Sequence, residues 1–285
     1  MLYTKYEDLY KKRKISTGFS WRLPDYSFKS WIDILQNTIF SMKNKKKFLD
    51  VGAGNGRFTR LLSEYFQQGV AIEVEPDNKE WQKIKRDMPN VTLYKGLLQE
   101  IMPQLIDRTV FDCIMLVEVF EHIPLSDIDN FVSSLYPLLA DDGFIFLTTP
   151  NFVVQGPAEK STMWYERFLY GHHKHYTVDE LKMIFENHGF QIDTYSFEGH
   201  TYRNNKYNRP YFLLAGLDIK FLESKKIPLI LRKIYQYCSV PFIFLLRVYF
   251  KILASICSTY EKNADKTNAV TIILKIKKAP LMHSI

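Results

Sequence analysis

Cysteine is scarce in this chain: Cys113, Cys238 and Cys257 are all it has, with no CxxC pair and no metal-ligand spacing. That excludes a disulfide scaffold and a cysteine-ligated zinc domain, and three scattered thiols fit a reducing cytoplasmic compartment. Cys113 lies in an apolar run and is expected to be buried. The first residues, Met1-Leu2-Tyr3-Thr4-Lys5-Tyr6-Glu7-Asp8, lack an apolar core, so no secretory signal is expected. Internal repeats are missing, and the lysine run at 43–47 is too short to count as low complexity. Strong charge of either sign is missing as well. The net +7 permits an anionic partner without requiring one. What the chain does have is hydrophobic residues, 46% of 285, enough for a sizeable core.

The most informative stretch is Phe48-Leu49-Asp50-Val51-Gly52-Ala53-Gly54-Asn55-Gly56-Arg57-Phe58-Thr59. An apolar run ends in an acid, three glycines alternate with other residues, and an amphipathic helix begins. This is a strand, a tight loop and a helix start, a geometry that brings a ligand against bare backbone. A dinucleotide fingerprint is lacking, because Arg57 stands where its third glycine belongs. Asp50 would repel a pyrophosphate but suits a ligand carrying an ammonium and a sulfonium, as S-adenosylmethionine does. That ligand's carboxylate can use the amides of the helix start. The second strand agrees: Val70-Ala71-Ile72-Glu73-Val74-Glu75-Pro76 is apolar, then acidic, then broken by proline. Its acid comes about 20 residues on, where a ribose-binding carboxylate belongs.

Strands are predicted at 47–51, 70–74, 91–94, 111–117 and 144–149, with a sixth after Gly189 and a last at 271–276. Helices are predicted over 57–67, 77–87 and 126–139, the last leaving through Asp141-Asp142-Gly143. Thr177 and Glu180 form a capping box that opens a helix to about 188. Alternating strands and helices give a doubly wound, mostly parallel α/β sheet. Residues 1–45 read as an N-terminal helical cap containing Trp21 and Trp31. Residues 46–198 read as the core, 199–267 as a helical insertion, and 268–279 as the returning last strand.

The pattern Asp50-x-Gly52-x-Gly54-x-Gly56, with Glu73 on the second strand, resembles the first motifs of class I S-adenosylmethionine-dependent methyltransferases. Glu118-Val119-Phe120-Glu121-His122-Ile123-Pro124, Thr149-Pro150-Asn151 and His172-His173-Lys174-His175-Tyr176-Thr177 resemble the small-molecule subgroup that includes the ubiquinone-biosynthesis O-methyltransferases. The resemblance implies a Rossmann-like seven-stranded sheet whose last strand is antiparallel. It implies cofactor contacts from Asp50, Gly52, Ala53, Gly54, Gly56, Glu73 and Glu118. Leu97 follows Gly96 where many relatives place an adenine-binding acid, which leaves backbone amides near Leu98 to read the adenine edge.

Glu118, Glu121 and His122, at i, i+3 and i+4, are expected on one face of a helical turn at a strand's carboxyl end. With His172, the position at which relatives supply a further histidine, they suit a divalent cation, Mg²⁺ or Zn²⁺. The metal-free alternative makes His122 or His172 a general base beside Glu121. A third alternative leaves the glutamates capping the loop and the histidines packing. His173 and His175, neighbours on an irregular loop, are expected to point apart, and His188 closes a helix.

The expected reaction is transfer of a methyl group to an oxygen of a small-molecule, lipid or lipid-linked glycan acceptor. Methylation of an RNA 2′-hydroxyl is the alternative, because the small-RNA 2′-O-methyltransferases share a similar Glu-x-x-Glu-His element. The aromatic and basic residues of Tyr202 to Arg209 fit a solvated loop better than a nucleic-acid surface. A non-catalytic S-adenosylmethionine-binding module is the third reading. Residues 210–259 are apolar and basic, with Arg232, Lys233, Arg247 and Lys251 interrupting the apolar runs. These cations oppose a membrane-spanning helix and leave three readings open: peripheral contact at the cytoplasmic membrane face, a lid, or a dimer contact.

Overall fold

The computed structural model describes residues 29–76, 78–105, 110–158, 172–198, 221–222, 224, 226–257 and 271–280. Trp21 and the rest of the lead-in before Lys29, the stretch 202–209, and the side chains of Arg247, Lys251 and Cys257 lie outside the described residues. In chain order the elements begin α1 (Lys29–Ser41), β1 (Lys47–Val51), α2 (Arg57–Ser63), β2 (Gln68–Glu73), α3 (Asn78–Asp87) and β3 (Val91–Lys95). Next come α4 (Leu98–Leu105), β4 (Phe111–Val117), two short 3₁₀ turns at Phe120–His122 and Leu125–Asp127, α5 (Ile128–Leu135) and β5 (Leu139–Pro150). The order closes with α6 (Phe152–Gln155), α7 (Val178–Glu186), β6 (Phe190–Glu198), α8 (Leu229–Cys238), α9 (Val240–Cys257) and β7 (Thr271–Lys278).

The strands form one sheet in the order β3-β2-β1-β4-β5-β7-β6. The β1–β2, β1–β4, β2–β3 and β4–β5 pairs are parallel, and β7 runs antiparallel to β5. This is the Rossmann-like, doubly wound sheet with a reversed last strand that the sequence implied. Its centre needs apolar residues on both faces, and β4 supplies them: Cys113, Ile114, Met115 and Leu116 are all fully buried. The Asp112 carboxylate accepts from the Lys46 and Lys47 amides at 2.8 and 2.9 Å, which fixes β4 against the start of β1. At the far side Asp193 of β6 pairs with Lys275 and Lys277 of β7. Strand order reverses between β1 and β4, so the crevice of such a sheet opens at their carboxyl ends.

By compactness the chain divides into two units. One comprises Trp31–Pro150, Lys174–Ser196 and Thr271–Ile285 and holds the sheet. The other comprises Met1–Ser30, Asn151–His173 and Phe197–Val270, and includes α6, α8 and α9.

Four elements differ from expectation. β5 begins at Leu139 rather than Phe144: Phe111 pairs with Leu139 and Cys113 with Phe144, so β5 carries extra residues there. Asp141-Asp142-Gly143 is therefore a bulge inside a strand, not a helix exit. A Cβ at Gly143 would press on the Ala140 and Asp112 carbonyls at 3.0 Å. The helix expected over 126–139 is the 3₁₀ turn Leu125–Asp127 followed by α5, and α2 stops at Ser63 rather than 67. Helix α4 was not expected, although Leu98, Ile101 and Leu105 form its buried face, because Pro103 interrupts the pattern. The Thr177–Glu180 capping box opens α7 as predicted, and Cys113 is buried.

Candidate active site

At the carboxyl end of β1 the chain turns through three glycines, all left-handed: Gly52 at φ 71°, Gly54 at 54° and Gly56 at 73°. They are glycines for different reasons. A Cβ on Gly52 would meet Val119 Cγ2 at 2.5 Å, and one on Gly56 would overlap the Ile84 side chain of α3. A Cβ on Gly54 meets nothing nearer than the Gly52 carbonyl at 4.0 Å, so it would stand in open space. Packing accounts for two of the glycines. The third leaves a cradle that a side chain would fill, which is what a ligand lying against backbone requires.

The cradle is braced from β2. Glu73 accepts from the Gly54 amide at 2.7 Å and from the Glu75 amide at 3.1 Å, and Trp81 Nε1 donates to the Gly54 carbonyl at 3.3 Å. Gly52 and Ala53 amides donate to the Ile72 carbonyl. Asp50 sits deeper, only 3% exposed, accepting from Thr59 Oγ1 at 2.5 Å. Burial pushes its carboxyl up to about 7; the Thr59 hydrogen bond opposes the shift and the charge of Glu73 adds to it. Asp50 thus ties the first turn of α2 to β1. Leu98 opens α4 with its side chain 2% exposed, while the Leu97 amide before it donates to Glu100 at 3.1 Å.

The second part of the site follows β4. Here the expected single helical turn divides. Glu118 is left-handed at φ 54°, a conformation uncommon outside glycine, and the 3₁₀ turn begins only at Phe120. Glu118 Oε1 accepts from Thr148 Oγ1 at 3.1 Å, and Glu121 Oε2 accepts from Thr149 Oγ1 at 3.0 Å. Thr148 and Thr149 are consecutive residues of β5, so their side chains leave on opposite faces. The two carboxylates are held apart, and the arrangement of Glu118, Glu121 and His122 on one helical face does not form. What remains together is a pair: Glu121, fully buried, with Oε1 at 4.0 Å from Nε2 of the half-buried His122.

Phe120 fixes this turn. Fully buried, its ring lies 5.1 Å from Tyr176, 5.5 Å from Phe185 and 6.3 Å from Phe131. The Lys174 amide donates to the Glu121 carbonyl at 3.4 Å. The Tyr176 hydroxyl is buried, and burial, with the charge of Glu121 adding, pushes its phenol up. His175 is buried and His173 exposed. His188 contacts the Ile184 carbonyl through Nδ1 at 2.8 Å, at the end of α7. In the other compact unit, Asn151 caps α6 by accepting from the Val153 amide at 3.2 Å, and His172 is half-buried.

The parts sequence reasoning missed are supporting ones: Thr59 under Asp50, Trp81 on the loop, and Thr148 and Thr149 under the two glutamates. The threonines become visible once β4 and β5 are aligned, since Val117 pairs with Thr148.

Residues 25–195 match a family model described as "Methyltransferase domain". Among curated proteins, the mitochondrial ubiquinone biosynthesis O-methyltransferase of Bos taurus is 26% identical over 166 residues, 52% of this chain. That match spans 42% of the bovine protein's own length. Solved structures share the fold. A SAM-dependent methyltransferase from Archaeoglobus fulgidus superposes with TM-score 0.53 at 15% identity, covering 88% of this chain and 94% of that one. The 1,6-didemethyltoxoflavin-N1-methyltransferase of Burkholderia thailandensis, with 1,6-didemethyltoxoflavin and S-adenosylhomocysteine bound, gives TM-score 0.54 at 14% identity, covering 97% and 84%. An N-methyltransferase from Bradyrhizobium japonicum, in complex with S-adenosylhomocysteine, gives 0.51 at 17%, covering 70% and 92%.

Proposed function

Because the chain belongs to the class I S-adenosylmethionine-dependent methyltransferases, we propose that it transfers the methyl group to a hydroxyl oxygen, with Glu121 and His122 handling the acceptor's proton. The observation that carries this reading is the buried carboxylate of Glu121, 4.0 Å from the imidazole of His122. A hydroxyl is a poor nucleophile until its proton is taken, and His122 is the base offered. The charge of Glu121, oriented by Thr149, stabilises the imidazolium that forms. The cofactor supplies a methyl group on a good leaving sulfur, so the protein's remaining task is in-line positioning.

The name of the bovine relative, an O-methyltransferase, supports oxygen over nitrogen, and the acceptor class we propose is a small molecule, a lipid or a lipid-linked glycan. If a divalent cation takes part, Glu121 and His122 are proposed ligands, and its chemistry would be to acidify the bound hydroxyl. Glu118, held by Thr148, is left to the cofactor side.

The test is mass spectrometry of extracts incubated with the enzyme and methyl-deuterated S-adenosylmethionine, followed by ¹³C NMR of the labelled product. The expected product carries its methyl carbon on oxygen, and a methyl on nitrogen or carbon contradicts the proposal. Full turnover in EDTA leaves the metal-free form. Loss in EDTA with recovery on Mg²⁺ or Zn²⁺ supports the cation.

A further inference from the structure

Helices α8 and α9 carry a surface that the methyl-transfer chemistry does not use. Ile230, Ile234 and Tyr237 follow one another at i, i+4 and i+7 along α8, and Leu245, Tyr249 and Ile252 do so along α9. All six are exposed, Ile230 by 68% and Leu245 by 65%. Ile243 is fully buried and marks the side of α9 that turns inward. Six large apolar side chains in two helical stripes are more than the scattered surface residues of an ordinary monomer.

The charge on this stretch is one-sided. From Ser224 to Tyr260 there is no Asp or Glu, while Lys225, Lys226, Arg232, Lys233, Arg247 and Lys251 carry six positive charges. Lys226 and Lys233 are exposed, and Arg232 Nη1 donates to the Leu222 carbonyl at 3.2 Å.

We infer that the exposed face of α8 and α9 docks on the surface of an anionic lipid bilayer. Apolar stripes with cations and no acids match the two layers of such a surface, acyl chains below and phosphate headgroups above. The tyrosines suit the boundary between them, with an apolar ring and a polar tip. A second copy fits less well. A two-fold contact places the same patch against itself, and this one would bring the exposed Lys226 and Lys233 towards their own copies, with no Asp or Glu between Ser224 and Tyr260 to pair them. Crossing the bilayer fits less well too. No single described helix is long and apolar enough to span, and the pair Leu229–Cys238 and Val240–Leu246 that together reach the length is bent by 41°. This surface stands on its own observations and does not depend on which atom accepts the methyl group.

The test is flotation of the full chain with phosphatidylcholine vesicles, with and without phosphatidylglycerol, at low and high salt. The expected result is binding at least about tenfold tighter to the anionic vesicles and weakened by salt. The double variant Lys226→Glu/Lys233→Glu should bind at least about thirtyfold more weakly, since each cation near an anionic surface contributes roughly a fivefold factor. Ile230→Asp/Leu245→Asp should not float. Titration with S-adenosylhomocysteine, bound by both variants as by the native chain, shows that they are folded. Absence of flotation of the native chain at low salt overturns the inference. So does flotation unmoved by either pair of substitutions. A native dimer that Ile230→Asp dissociates, in a chain that ignores vesicles, gives the face to a second copy instead.

Discussion

Two neighbouring loops at the carboxyl edge of the sheet are built in opposite ways. The loop after β1 is a backbone device: three left-handed glycines, amides turned to Glu73 and Ile72, and an open cradle at Gly54. The turn after β4 is a side-chain device: Glu121 and His122 set on a 3₁₀ turn, anchored by Phe120 and oriented by Thr149. They touch, since Val119 occupies the space that a Cβ on Gly52 would need. On the proposed reading, the difference teaches that shape recognition of a cofactor and proton handling can share one crevice yet be separable by substitution. A change in the first should appear in binding, and a change in the second in turnover.

The largest expected effect breaks the second device. His122→Ala or Glu121→Gln should lower turnover by about 10²–10⁴, the contribution of a positioned base, with cofactor affinity changed by less than about twofold. Steady-state kinetics on the deuterium-identified acceptor, alongside titration calorimetry, separates the two. Native turnover in His122→Ala removes the pair from the mechanism.

Next comes the first device. Gly54→Val fills the cradle with a β-branched side chain and demands positive φ of a residue that resists it, so affinity for S-adenosylmethionine should fall at least about a hundredfold. Gly52→Ala is a comparison with a different cause, because its methyl meets Val119 and not the ligand. It should lower thermal stability and cofactor affinity together.

A smaller effect sharpens the boundary between the devices. Thr149→Val keeps the shape of the side chain but removes its hydrogen bond to Glu121, worth about 1.5–3 kcal/mol for a charged acceptor. Turnover should fall about tenfold, and S-adenosylhomocysteine should bind as before. Thr148→Val, acting on Glu118, should move cofactor affinity more than turnover. An equal response of both parameters to both variants would show that the two carboxylates do not serve different partners.

How much of this was legible follows from the same contrast. The cradle could be read because glycine spacing and a strand-end acid are local signals, and the strand β4 because seven consecutive residues, Phe111 to Val117, suit a sheet covered on both faces. The division between Glu118 and Glu121 could not be read. A left-handed glutamate leaves no mark in a sequence, and the one-face arrangement assumed a helical turn that starts two residues too early. Its partners, Thr148 and Thr149, depend on the register of β4 against β5. The expectation for β5 was itself cut short by Asp141-Asp142-Gly143, whose turn-like composition marks a bulge. Nor could the sequence show that the Asp50 carboxylate accepts a buried hydrogen bond from the Thr59 hydroxyl.

The smallest expected effect concerns that carboxylate. Its folded value, about 7, lies above the ordinary 3.8, so the folded state holds the proton more tightly than the unfolded chain. The folded state of the ligand-free protein is accordingly favoured below about pH 4 relative to higher pH, and loses stability as pH rises through 7. Asp50→Asn keeps an acceptor for Thr59 and removes the ionisation, so it should raise stability at pH 8 and bring little gain near pH 4. Urea denaturation at the two pH values measures this. A loss of stability at pH 8 would mean that the ionised carboxylate is favourably held.

The separation of the two devices is tested most directly by titration calorimetry of S-adenosylhomocysteine and of NAD against the native chain, Gly54→Val and His122→Ala. The account predicts that the native chain binds S-adenosylhomocysteine and not NAD, that Gly54→Val loses this binding, and that His122→Ala keeps it within about twofold, since only the glycine cradle approaches the ligand as bare backbone. Native affinity in Gly54→Val, or a loss in His122→Ala as large as the loss expected at the glycine, would contradict it.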